Sequence, residues 1–89
     1  MHVTIRGKRY ELIFEKTPEE IVGYCDPPTK LNKRIVVSPH QTEAEILRVL
    51  IHEMLHAAHW DMCEEAIDES SVGVADVLWK LGYRRKADE

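Results

Sequence analysis

The sequence predicts an α+β fold, a small antiparallel or mixed sheet followed by two helices, on three observations. Apolar residues alternate with a period of two in the first 40 residues. They recur at helical spacing from about residue 42 onward. Proline punctuates only the first half, at positions 18, 27, 28 and 39. The 89 residues have room for one modest core, so residues 1–89 are expected to form a single domain.

The elements follow in order. Val3 and Ile5, then Tyr10, Leu12 and Phe14, alternate with polar neighbours as two strands, with Gly7-Lys8 as the hairpin turn between them. Ile21–Cys25 reads as a short third strand. It stops at Asp26-Pro27-Pro28-Thr29, where proline removes the donors a ladder needs. Lys33–Ser38 (KRIVVS) has the β-branched content of a fourth strand and ends at Pro39. A first helix begins near Thr42, with Glu45 three residues on as in a capping box, and Ile46, Val49, Leu50, Met54 and Ala57 form its buried side. A second runs from about Glu64 to Leu81, opened by Asp61 or Cys63 and closed by Gly82, with an apolar stripe of Ile67, Val74, Ala75, Leu78 and Leu81. Only Trp60–Cys63 lies between them, which requires a tight helical hairpin.

Composition narrows the function classes. Hydrophobic residues make up 44% and charged residues 31%, a globular balance. Twelve basic against sixteen acidic residues, scattered except for Arg84-Arg85-Lys86, argue against nucleic acid as a partner. No apolar run approaches the roughly 20 residues of a membrane span, and the first ten residues lack a signal-peptide core. A cytoplasmic location without membrane attachment is the expectation. Cys25 and Cys63, far apart and outside any C-x-x-C pair, read as reduced thiols.

Chemistry concentrates in HEMLH, residues 52–56. Residues four apart on a helix differ by about 40° and about 6 Å, so His52 and His56 can each give a ring nitrogen to one ion. Glu53, about 100° from His52, cannot share that role easily but can reach a water in the ion's open position. Zn²⁺ suits such a set: it lowers the pKa of its bound water, and a carboxylate takes the proton. The five-residue pattern is short enough for chance to supply, so context must decide. Two histidines and a glutamate buried together without a metal would cost several kcal/mol, at roughly 1–3 kcal/mol per unsatisfied group.

A third protein ligand is still required. Across a short hairpin His56 faces residues just after the turn, which offers Glu64, Glu65, Asp68 and Glu69. Glu64 lies within about 40° of the second helix's apolar stripe and Asp68 within about 80°, while Glu65 and Glu69 point nearly opposite, as a solvated acidic first turn. The choice falls on Glu64, with the other three acids and His59 as remaining candidates. Asp68 can accept a hydrogen bond from the far nitrogen of His52 or His56. His59 is placed at the rim, where it could contact substrate or stabilise charge, as could Tyr83 near the end of the chain; His2 and His40 are placed on the surface, and Trp60 and Trp79 in hairpin and core packing.

The segment HEMLH, followed by a helix opening Glu64-Glu65-Ala66-Ile67-Asp68, resembles the zincin metallopeptidases, and among them a minimal gluzincin. Glu64 and Asp68 match the gluzincin E-x-x-x-D pattern, and the metzincin extension is absent because Ala58–Asp68 holds neither a glycine nor a suitably spaced histidine. The chain also looks like short predicted zinc peptidases of bacteriophages and prophages, with Leu78–Tyr83 matching their helix end. The resemblance implies a zinc metallopeptidase with His52, His56 and Glu64 on the metal, Glu53 as general base, and a peptide or protein substrate. It implies that Lys33–Ser38 is an edge strand that pairs with the substrate. Larger gluzincins draw further groups from another domain, so a partner or oligomer completing the cleft belongs to the same expectation. The alternative is a catalytically silent, zinc-stabilised binding or assembly module of phage or prophage origin.

Overall fold

A computed structural model describes residues 1–86. Four strands, β1 (His2–Ile5), β2 (Lys8–Phe14), β3 (Gly23–Cys25) and β4 (Arg34–Val37), precede two helices, α1 (Glu43–Ala58) and α2 (Glu64–Lys80). The sheet has the order β1-β2-β4-β3. β4 runs parallel to β2 and antiparallel to β3, and β1 is antiparallel to β2, so the sheet is mixed and the fold is α+β as expected.

The first hairpin turns one residue earlier than the sequence suggests. Ile5 pairs with Lys8, leaving Arg6 and Gly7 as a two-residue loop with φ of 49° and 77°. Two positive φ values match the right-handed twist of the flanking strands. Arg6 then reaches across the domain, and its Nη1 donates to the Ala58 carbonyl at 2.8 Å. That bond satisfies a backbone acceptor that the end of α1 would otherwise leave open. It anchors the hairpin to the helix carrying HEMLH.

β4 is an interior strand, which corrects its expected place at the edge. It is bonded on both sides, and Ile35, Val36 and Val37 are each 0% exposed. The edge strand beside it is β3, shorter than the expected Ile21–Cys25, since Ile21 and Val22 lie outside it and are exposed. Val22 accepts from Ser38 and Asp26 donates to Arg34. Antiparallel alternation therefore turns the N–H and C=O groups of Gly23 and Cys25 away from β4, toward the open edge.

α1 starts with the capping box read from the sequence. Glu45 N–H donates to Thr42 Oγ1 and Thr42 N–H donates to Glu45 Oε1, both at 3.2 Å. Its buried row is Ile46, Val49, Glu53 and Ala57. Met54, expected inside, is exposed; the face over the sheet passes through its neighbour Glu53 instead. Tyr10, Ile35 and Val37 from the sheet join Ile46, Val49 and Ala57 in one core. α2 packs on α1 and on no strand. Its buried positions are Ile67, Ser71 and Ala75, whereas Val74 and Leu81, assigned to the apolar stripe, are exposed. Ser71 is inside because it is small and satisfies itself, its hydroxyl donating to the Asp68 carbonyl at 2.9 Å. Among the described residues no helix is long and apolar enough to cross a membrane.

At Gly23 the sheet passes close under α1. A Cβ there would lie 2.7 Å from Val49 Cγ1 and 2.9 Å from the Val36 carbonyl oxygen. Gly23→Ala is therefore expected to destabilise the domain by about 1–3 kcal/mol in denaturant unfolding. A Val49→Ala background should recover only part of the loss, because the Val36 carbonyl stays in place. Additive losses would show that the crowding is not where the geometry puts it.

Candidate metal centre

The site is assembled by the helical hairpin. His52 and His56 sit on successive turns of α1 with ring centroids 4.8 Å apart. The chain leaves α1 at His59 and turns through Met62, whose N–H donates to the His59 carbonyl. It re-enters a helix at Glu64. This brings the first residue of α2 back over the histidines.

Three side chains converge. The two Nε2 atoms are 3.2 Å apart. Glu64 Oε1 is 2.8 Å from His52 Nε2, and Glu64 Oε2 is 2.8 Å from His56 Nε2. The donor atoms of the three residues all lie within 4.8 Å of one another, so together they could hold a metal ion. A tetrahedral ion with bonds of 2.0–2.1 Å to nitrogen requires its nitrogen ligands about 3.3–3.4 Å apart, close to the observed separation. Without an ion each imidazole N–H can donate to its own Glu64 oxygen, at 2.8 Å in both cases. A cation lets both present lone pairs. The histidine side chains are 17% and 18% exposed and Glu64 is 69% exposed, so the imidazoles form the floor and the carboxylate comes from the open side.

Asp68 lies beside His52, with Oδ1 3.6 Å from Nδ1, just beyond hydrogen-bonding range. Of the two histidines that the spacing allowed, His52 is the one it lies beside. Glu53 is only 7% exposed and packs toward β3, its Cγ 3.5 Å from the position a Gly23 Cβ would take. Burial pushes its carboxyl up to about 7; the nearby Glu64 charge adds to this and His52 opposes it.

The remaining sequence candidates stay outside the cluster. Glu65 and Glu69 are exposed. His59 is also exposed and sits at the C-cap with φ −138° and ψ 66°, so the regular helix that would align it with His52 and His56 has ended. Trp60 is half-exposed and meets His56 edge-on, with ring centroids 6.3 Å apart. Tyr83 is not at the site rim. It lines an apolar groove of about 320 Å³ with Ile46, Leu50, Leu78 and Trp79, at the other end of the hairpin. His2 and His40 are exposed. Trp79 is partly buried beneath the Arg84 guanidinium, 3.2 Å from its ring centroid. Sequence reasoning missed the proximity of Gly23 to Glu53, although a glycine inside a strand signals close backbone approach.

Comparison with known proteins adds no relative: no protein-family model, curated protein or solved structure matches the chain.

Both cysteines are free, Cys25 half-buried and Cys63 exposed at the start of α2. Burial, with the charges of Glu53 and Asp26, pushes the Cys25 thiol up to about 12. Because the thiolate is the reactive form, a maleimide at pH 8 is expected to label one thiol per native chain and two after unfolding. Cys63→Ser should abolish the native label. Native labelling that survives this change would contradict the placement of Cys25.

Proposed function

We propose that the protein is a zinc-dependent peptidase that hydrolyses peptide bonds with a metal-activated water. The observation that carries this reading is the convergence of His52, His56 and Glu64 into one donor set whose neighbour in sequence and space is the buried carboxylate Glu53. Two neutral nitrogens and a carboxylate with an open side fit a catalytic zinc better than a closed structural one. Zinc at these residues supplies Lewis acidity and a water acidic enough to lose a proton near neutrality.

The chain's own residues divide the rest of the work. His52 and His56 hold position through the rigid α1 backbone, and Glu64 closes the set from α2. Asp68 lies 3.6 Å from His52 Nδ1, and a hydrogen bond formed there would favour the tautomer that leaves Nε2 free for the ion. Glu53 accepts a proton from the attacking water and returns it to the leaving amine as the C–N bond breaks. Burial raises the proton affinity of this carboxyl, which favours the accepting half of that transfer. The open edge of β3 beside Glu53 favours an extended peptide as substrate, because its outward N–H and C=O groups can extend the sheet by one strand.

One observation favours a second reading. α2 packs on α1 alone, so a metal joining Glu64 to His52 and His56 would also staple the hairpin of a small domain. In that reading zinc serves folding or assembly without turnover.

Both readings require zinc. The purified chain is expected to retain about one Zn²⁺, and His52→Ala or His56→Ala should weaken binding by more than the roughly 10–100-fold typical of residues that only orient a ligand. Chelation should lower Tm. Unchanged zinc content in His52→Ala and His56→Ala would refute the assigned site. Glu53→Gln separates the two readings. Retained zinc with peptide cleavage reduced at least about 10²–10⁴-fold supports the peptidase, while a zinc-loaded wild type inert toward a broad peptide library favours the silent module.

A further inference from the structure

Beneath α1 lies a polar group that the metal centre does not use. Tyr10 is 0% exposed, and its hydroxyl has no hydrogen-bond partner among the described residues. A buried phenol normally finds one, since a stranded hydroxyl forfeits the hydration it had in the unfolded chain.

Strand register locates that hydroxyl. Leu12 and Phe14 pair with Ile35 and Val37, which pair in turn with Cys25 and Gly23. By alternation Tyr10 shares their face, the one covered by α1. Val49 and Glu53 lie over Gly23. Ala57, one turn beyond Glu53, joins Tyr10 in the core, and Arg6 ties the neighbouring hairpin to Ala58. Tyr10 therefore sits below the Glu53–Ala57 turn, with Cys25 between it and the β3 edge. Cys25 lies near both groups: Tyr10 is raised first by burial and then by Cys25, and Cys25 first by burial and then by Glu53.

We propose that Tyr10 is a positioning residue for Glu53, its hydroxyl donating to one buried water that in turn donates to the Glu53 carboxylate. Tyr10 Oη, Glu53 and the Cys25 sulfur give that water the polar partners a buried water needs. The bridge holds the carboxylate from the core side, fixing its rotamer while its other edge remains free. Its consequence for hydrolysis rests on the peptidase reading; the bridge itself does not.

The test is a double-mutant cycle read by thermal melting of the full chain, with and without zinc. Tyr10→Phe removes only the hydroxyl. It is expected to lower Tm by about 4–8 °C, the size of one lost hydrogen bond in a domain this small. In a Glu53→Met background the same change should have little effect. A Tm that rises or stays constant in Tyr10→Phe, or an equal fall in both backgrounds, overturns the proposal. A high-resolution crystal structure gives an independent reading. One water within about 3.2 Å of both Tyr10 Oη and the Glu53 carboxylate supports it, and a dry contact overturns it. A wild type that cleaves no peptide counts against the peptidase alone, whereas a missing coupling counts against the bridge alone.

Discussion

The arrangement depends on how short the connection between the helices is. Five residues, His59–Cys63, separate the end of α1 from the start of α2. So short a link leaves the second helix little choice but to fold back antiparallel on the first. Its opening residue, Glu64, is thereby set against the two imidazoles presented by the last turns of α1. Local geometry places His52 and His56 together without help from the rest of the fold. Only the hairpin adds a donor from a different element, and only with that donor does the cluster hold the three side chains that could bind a metal ion.

Glu53 imposes the opposing demand. It occupies the same buried row as Ile46, Val49 and Ala57, where an aliphatic residue would strengthen a core that is small to begin with. Burying a carboxylate costs stability, and the rise in its proton affinity is that cost expressed as chemistry. A residue that weakens the core where it sits, next to a cluster that could hold a metal ion, marks a candidate functional site. The sheet supports this placement. Gly23 lets β3 come under Val49 and Glu53, and Arg6 fixes the far end of α1.

Much of this was legible in the residues. Periodicity and punctuation marked the strands and both helices, the Thr42–Glu45 box marked the start of α1, and an angular argument selected Glu64 from four nearby acids. What escaped was set by contacts between distant segments. Lys33–Ser38 looked like any β-branched strand, and nothing local announced that β3 would pair outside it and leave β4 internal. Polarity misled in the helices: Ser71 is buried because it is small and bonds to its own backbone, while Val74 and Leu81 face outward because α2 has only one neighbour to cover it. The place of Tyr83 near the end of the chain suggests a substrate contact, but α2 carries it away from the histidines.

Zinc X-ray absorption spectroscopy on the loaded protein tests the central claim most directly, because it reads the ligands around the ion rather than an activity. The account predicts a nitrogen and oxygen shell near 2.0–2.1 Å containing two imidazoles, with one imidazole lost in His56→Ala. A sulfur shell near 2.3 Å, or a spectrum unaffected by replacing either histidine, would contradict it.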